Sequence, residues 1–299
     1  MMVRTLGRGG ATFTRFGGVA CACVSMSRVS RKPPRSWHSA NALVTGGSSG
    51  IGVAVGERLA REGVHVTLVA RRVEQMDHVV RKIRAAGGQA TAVVADLSTV
   101  EGRIVAVAGA ARHGAVDILI NNAGHGWYGN FADMSWPDAA SLIEVNVAAA
   151  VHLTHLVLPG MRAGGRGGIV CIGSISAHLP VPGHAVYAAT KAFLDSFTTA
   201  LHRELHGQPI LVSAVHPGPV RTEFVDVAAH RSGRRAPVGP VAVAPERVAD
   251  AVWQALTSRP RRRYYVPRVS RATGVFGTGL GWTIDLLGLT VPGGHAPGR

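Results

Sequence analysis

A short apolar run, Ala42-Leu-Val-Thr45, passes at once into Gly46-Gly-Ser-Ser-Gly50-Ile-Gly52 and then into a helical pattern that lasts to Arg61. No other stretch restricts the fold so strongly. A strand, a glycine turn and a helix N-terminus in direct succession make an anion site, because glycines let the backbone come close and the first N–H groups of a helix lack partners of their own. A mere tight turn uses glycines in the same way, so the rest of the chain has to decide. Val64-His-Val-Thr-Leu-Val69 reads as a second strand, Ala90-Thr-Ala-Val-Val-Ala-Asp96-Leu97 as a third and Asp117-Ile-Leu-Ile-Asn121 as a fourth. Gly168-Ile-Val-Cys-Ile-Gly173, Ile210-Leu-Val-Ser-Ala-Val215 and an edge strand at Tyr264-Tyr-Val266 follow, with helical patterns between. Such alternation with right-handed crossovers gives one α/β domain, a doubly wound parallel sheet flanked by helices, whose ligands sit beyond the carboxyl ends of the strands.

The net charge of +15 over 299 residues looks like a nucleic-acid signature until it is divided along the chain. Residues 1–40 hold seven Lys and Arg and no acid, and residues 259–299 hold seven Arg against Asp285; these ends leave only +2 for the 218 residues between. A nearly neutral centre argues against a specific nucleic-acid face, and the arms read as solvated segments able to touch an anionic membrane surface peripherally. Residues 1–39 are expected to be an unstructured basic leader, or to precede the true start; the domain is placed at 40–267. The tail 268–299 contains the glycine-broken apolar stretch Val275–Val291, suited to packing, an oligomer interface or a membrane surface. No run reaches the roughly 18 apolar residues of a membrane span. Three cysteines without a Cys-x2-Cys repeat imply reduced thiols in a reducing, cytoplasmic setting and no zinc at Cys21 or Cys23.

At the end of the second strand stand Arg71 and Arg72, where an acid would hold a ribose 2′-hydroxyl and an arginine accepts a 2′-phosphate. NADP(H) is therefore preferred, with NAD(H) the second choice. Asp96 ends the third strand, placed either to bond an adenine edge or to cap the next helix. The fourth strand delivers Asn122-Ala123-Gly124, and the sixth delivers Pro217-Gly218-Pro-Val220-Arg-Thr222. From about 220 to 243 the chain is rich in Ala, Arg, Gly and Pro, which predicts a mobile lid.

Tyr187-Ala-Ala-Thr-Lys191 carries the chemistry, with Ser174 thirteen positions before the tyrosine. A spacing of four on a helix stacks ammonium over phenol, and a fixed positive charge lowers a phenol pKa from about 10 toward use as an acid-base catalyst. Ser174 then shares a substrate oxygen with Tyr187. Two decoys lack the required pattern. His202-Arg-Glu-Leu-His206 has Arg203 where a zinc protease needs Glu, and His152 with His155 has no third ligand, so no metal site is expected.

The ordered set Thr45-Gly46-x3-Gly50-Ile51-Gly52, Asn121-Asn122-Ala-Gly124, Asn146, Ser174, Tyr187-x3-Lys191 and Pro217-Gly218 resembles the short-chain dehydrogenase/reductase family, in its single-domain branch. The resemblance implies a Rossmann-like fold and NAD(P)-dependent interconversion of a carbonyl and a secondary alcohol. It assigns Tyr187 as general acid-base, Lys191 as the group that lowers its pKa and holds the nicotinamide ribose, Ser174 as the carbonyl-orienting hydroxyl and Asn146 as the holder of a relay water. It further places Gly46, Gly50 and Gly52 at the pyrophosphate, with Ser48, Ser49 and Ile51 also cofactor-binding. Asp96 falls at the adenine, Asn122 at the adenosine ribose, and Val220 with Thr222 at the carboxamide, with Leu97, Ala123, Gly124, Pro217 and Gly218 also cofactor-binding. Arg71 resembles the family's 2′-phosphate ligand, whereas Ser49 stands where some NADP-using members carry a second basic residue.

His125-Gly-Trp127-Tyr128 and Pro180-Val-Pro-Gly-His184 are expected to line a pocket for an apolar carbonyl or alcohol, and a homodimer or homotetramer is implied by the resemblance. A nucleotide-sensing or scaffold protein is the rival reading, but it has no use for Tyr187 with Lys191.

Overall fold

The computed structural model describes residues 12–16, 19–23, 36–234, 242–258 and 261–272, in two units, Met1–Ser30 and Arg31–Arg299. In the first, β1 (Thr12–Phe16) and β2 (Val19–Cys23) pair antiparallel, with Phe16 opposite Val19. This departs from an unstructured leader.

The second unit is built on seven parallel strands. They are β3 (Asn41–Thr45), β4 (His65–Ala70), β5 (Gln89–Val94), β6 (Ile118–Asn121), β7 (Gly167–Ile172), β8 (Ile210–Pro217) and β9 (Arg263–Val266). Their spatial order is β5-β4-β3-β6-β7-β8-β9, which is the Rossmann-like arrangement. The winding direction reverses between β3 and β6, so the crevice at their carboxyl ends is the natural ligand site.

Every residue of β3, β6, β7 and β8 is buried, as expected of strands covered on both faces. Successive side chains feed opposite layers. Ala42 and Val44 of β3 join Val170 and Ile172 of β7 in one core, whereas Leu43 joins Ile169 and Cys171 in the other. The first core is closed by α1 (Gly50–Arg61), α2 (Val73–Ala85) and α8 (Pro245–Thr257) through Leu59, Ile83 and Val252. The second is closed by α3 (Val100–Ala111), α5 (Ala149–Ala163) and α6 (Ala185–Glu204) through Ala106, Leu153 and Leu201. A buried leucine of this kind contributes about 1.5–3 kcal/mol. The core starts before residue 40, since Trp37 is buried and its Nε1 donates to the Leu256 carbonyl at 2.9 Å.

Two segments differ from expectation. The helix that carries Asn146 is not uniform, because α4 (Trp136–Ile143) widens into a π-helical segment, Glu144–Ala148, before α5 begins. The whole run Trp136–Ala163 is 28 residues with a window of mean hydropathy 1.5, long and apolar enough to cross a membrane by length and composition alone. Its Ala149, Leu153 and Val157 pack into the sheet core. The expected lid also contains a helix, α7 (Phe224–Ser232), ended by Gly233 at φ +67°. Residues 235–241 of that lid and the Val275–Val291 stretch lie outside the described residues.

Candidate active site

A cavity of about 630 Å³ opens at the carboxyl ends of the strands. All the cofactor and catalytic residues expected at the site border it except Gly52 and Asn146, and of the 180–184 run Val181 and His184 border it whereas Pro180, Pro182 and Gly183 do not.

The glycine turn is closed from behind by its own backbone. A Cβ on Gly52 would lie 2.1 Å from the Gly46 carbonyl oxygen, so the helix can begin this close to the strand only with glycine there. Gly46 itself has φ +67°. Thr45, which opens the glycine motif but has no role assigned by it, is an organiser at the end of β3. Its Oγ1 donates to the Ile120 carbonyl at 3.0 Å and accepts from the Asn122 and Ala123 N–H groups, both at 2.9 Å. The Asn122 amide donates to the Thr45 carbonyl at 2.8 Å, bracing the turn. Helix α1 starts at the cavity with no side-chain cap and no acid in its first turn, leaving its N–H groups for an anion.

The two arginines differ in their surroundings. Arg72 donates to Ser48 Oγ at 3.1 Å and pairs with Glu223, whereas Arg71 is 66% exposed and makes one long contact, 4.0 Å, to Asp96. The Ser98 N–H bonds Asp96 at 2.9 Å and, despite partial burial, holds its carboxyl below the usual range. Thr99 caps α3, accepting from the Gly102 N–H at 3.0 Å, so Asp96 is left to face the cavity. Thr222 packs against Gly50 and accepts from the Phe224 N–H at 3.3 Å.

At the other end, Ser174 follows β7 and Tyr187 lies in the first turn of α6. Burial pushes the Tyr187 phenol up, and a hydrogen bond with Ser174 opposes this in part. Lys191 is not at the phenol. Its ammonium donates to the Ile172 carbonyl at 2.9 Å and stands 5.9 Å from the Tyr187 ring centre, and burial lowers it to about 8. In this arrangement the cation is turned to a backbone oxygen and makes no hydrogen bond to the phenol.

Asn146 is 1% exposed, and its side chain joins three segments. Oδ1 accepts from the His125 N–H at 3.0 Å, and Nδ2 donates to the His125 carbonyl and to Thr190 Oγ1, both at 3.1 Å. Thr190 in turn donates to the Tyr187 carbonyl at 2.7 Å. The π-helical turn is what aims Asn146 inward, a device found often at functional sites.

The cavity wall beyond Tyr187 is aromatic. His184 meets the Tyr187 ring edge-on at 5.6 Å and Tyr128 at 5.2 Å, and Phe224 stands 5.8 Å from Tyr187. Trp127 and Tyr128 are each 7% exposed. His125 is 3.0 Å from Ser141 Oγ and is lowered to about 4 by burial and by the Arg231 charge. Phe224 and Arg231 reach the cavity on α7, an addition that the loop-like composition concealed. Of the decoys, His202 Nδ1 bonds the Val212 carbonyl at 2.7 Å.

The sequence profile of short chain dehydrogenase matches residues 40–232. The chain belongs to the short-chain dehydrogenase/reductase family. Among members of this oxidoreductase family, it is 35% identical over 219 residues to ketoacyl reductase HetN of Nostoc sp., covering 73% of this chain and 75% of that one. It is 34% identical over 221 residues to glycine betaine reductase ATRR of Emericella nidulans, covering 72% of this chain but only 17% of that longer protein. Among solved structures, a short-chain dehydrogenase from Sphingobium yanoikuyae in complex with NADPH superposes with a TM-score of 0.71 at 31% identity, covering 86% of this chain and 99% of the other. The short-chain dehydrogenase/reductase motifs thus meet in one cavity here, with Tyr187 and Ser174 at one end and the glycine turn at the other.

Proposed function

We propose that this chain is an NADPH-dependent reductase of apolar carbonyl compounds, with alcohol oxidation open to the same groups in reverse. The observation that carries the reading is the shared cavity, in which Ser174 and Tyr187 face the same space as the glycine turn at the β3/β6 reversal. The residues present fit a dinucleotide. The Gly46–Gly52 turn is too tight for any side chain at Gly52, α1 offers unpaired N–H groups, and Arg71 stands beyond β4 for a 2′-phosphate. The Sphingobium yanoikuyae relative, solved in complex with NADPH, supports the same preference.

A bound reduced nicotinamide supplies a hydride to the carbonyl carbon. Tyr187 gives the proton to the oxygen. A phenol pushed up by burial keeps that proton at neutral pH, as reduction requires. Ser174 orients the carbonyl and hydrogen-bonds the developing alkoxide. Lys191 faces the cavity for the nicotinamide ribose, and Asn146 with Thr190 fixes the backbone at Tyr187. The aromatic wall of Trp127, Tyr128, His184 and Phe224 favours an apolar substrate. Exposed Phe131, Trp136, Ile143 and Phe193 suit a homodimer or homotetramer.

The test is NADPH consumption with benzil, a ketosteroid and a β-keto thioester, together with NADPH titration by fluorescence. Tyr187→Phe is expected to keep NADPH affinity while turnover falls about 10²–10⁴-fold. Retained turnover sinks the assignment, and a wild-type protein that binds NADPH without reducing any carbonyl favours the sensor reading.

A further inference from the structure

His216 ends β8 fully buried, 0% exposed, and the mechanism above gives it no task. Its Nδ1 lies 3.1 Å from the main-chain carbonyl oxygen of Ser174. A carbonyl only accepts, so Nδ1 carries the proton and donates. The approach is built in, since a Cβ on Gly173 would lie 2.6 Å from that nitrogen. On the far side of the ring, Nε2 stands 3.1 Å from Asp195 Oδ1. Asp195 belongs to α6, one turn beyond Lys191 and two beyond Tyr187, and it is 7% exposed. Arg263 of β9 grips both of its oxygens, with Nε at 2.7 Å from Oδ1. His178 and Tyr265 flank the imidazole, with ring centres 5.0 and 5.2 Å from it, and bond each other at 3.2 Å.

The ligand atoms of His178, Asp195 and His216 all lie within 4.8 Å of one another, a spacing that also suits a cation. Arg263 decides against one, because its guanidinium already occupies both carboxylate oxygens with a positive charge. Burial works against the Asp195 carboxylate, but the adjacent His216 ring and the Arg263 guanidinium on both oxygens hold its carboxyl far below the usual range.

We infer that His216 is a positioning residue that ties the main chain of Ser174 to Asp195, so that the serine is held in register with the helix bearing Tyr187 and Lys191. The Asp195–Arg263 ion pair is the anchor, and the proposal rests on the reductase reading. Ser174 sits at a strand end with its hydroxyl facing open space, and its own Oγ accepts only from the Ser176 N–H at 3.1 Å and meets Tyr187. The Ser174 carbonyl also accepts from the Ala177 N–H at 3.1 Å within its own turn, so His216 is the contact that joins that carbonyl to another element. Loss of it lets the hydroxyl drift, and a misplacement of about 1 Å is enough to lower turnover on the order of a hundredfold.

The experiment compares full-length wild type, His216→Asn and His216→Ala in benzil reduction, NADPH titration and thermal unfolding, with crystal structures of their NADP⁺ complexes. The Asn amide can donate to the Ser174 carbonyl in place of Nδ1. His216→Ala is expected to lower kcat on the order of ten- to a hundredfold with KM and NADPH affinity unchanged, and to show Ser174 displaced. His216→Asn is expected to recover most of kcat even where it does not recover thermal stability, which a merely structural role would not allow. Arg263→Lys, which keeps the charge but cannot grip both oxygens, gives the same split and serves if His216→Ala does not fold. Unmoved Ser174 with unchanged kcat, or His216→Asn no better than His216→Ala, overturns the proposal alone. A wild type that binds NADPH yet reduces no carbonyl compound overturns the reductase reading and this proposal with it.

Discussion

The ammonium of Lys191 donates to the carbonyl oxygen of Ile172 at 2.9 Å, not to the phenol of Tyr187 one helical turn before it. Burial lowers this lysine to about 8, against about 10.4 in an unfolded chain. The unfolded state therefore keeps its proton to higher pH. Below about pH 8 the folded protein bears the full cost of a buried cation, on the order of 3 kcal/mol, and the cost fades as pH rises toward 10.4. Lys191→Met removes the cation and leaves the Ile172 carbonyl without its donor, a loss of about 1 kcal/mol. The nucleotide-free variant should unfold about 5 °C higher than wild type at pH 7, with the gap narrowing at pH 10, while turnover is lost. Thermal unfolding at the two pH values checks it. A variant less stable than wild type at both values refutes the account.

Arg71 and Arg72 are adjacent in sequence but unequal in the fold. Glu223 and Ser48 engage Arg72, whereas Arg71 is largely exposed beside the cavity. Arg71→Ala should weaken NADPH binding about tenfold or more and leave NADH binding unchanged, since a charge-assisted contact to a 2′-phosphate is worth about 1.5–3 kcal/mol. Glu223→Gln should tighten NADPH binding by releasing Arg72 from its carboxylate. Fluorescence titration reads both, and equal losses for NADPH and NADH in Arg71→Ala would remove the phosphate role.

The same contrast shows what a sequence can carry. The strands around Ala42–Thr45 and Ile210–Val215 are legible because parallel strands buried on both faces are continuous apolar runs. Ser174, Tyr187 and Lys191 are legible because local spacing places them. The Arg72–Glu223 pair is not, since 151 positions separate its partners. Nor is the π-helical turn, whose Asn146 meets Thr190 across 44 positions. Helix α7 is hidden by the glycine and proline around it, although Phe224–Ser232 contains neither.

Gly52 and Gly87 separate close packing from backbone strain. A Cβ at Gly52 would lie 2.1 Å from a backbone oxygen that cannot move without opening the turn, whereas Gly87 has φ +83° with nothing within 4 Å. Gly52→Ala should abolish NADPH binding even where the protein still folds. Gly87→Ala should cost about 1–2 kcal/mol of stability through its left-handed backbone and leave NADPH affinity intact. Denaturant unfolding paired with nucleotide titration distinguishes them, and intact binding in Gly52→Ala would show that the turn does not hold the nucleotide.

Asn146 needs both a donor and an acceptor on one side chain, because it accepts from the His125 N–H and donates to the His125 carbonyl and to Thr190. In Asn146→Asp an ionised carboxylate keeps the first contact and turns an oxygen toward the His125 carbonyl in a site 1% exposed. Leaving buried groups unsatisfied in this way costs about 1–3 kcal/mol, and more where one of them is charged. Protonation restores a donor. The folded state of the variant therefore holds its proton more tightly than the unfolded chain, so its folded pKa rises above about 3.9 and its stability falls as pH rises through that window. Denaturant unfolding should show a smaller deficit against wild type at pH 5 than at pH 8, with turnover reduced because Thr190 and the Tyr187 backbone lose their brace. A deficit that does not change with pH would mean that Asn146 fills space there and that its hydrogen bonds do not shape the site.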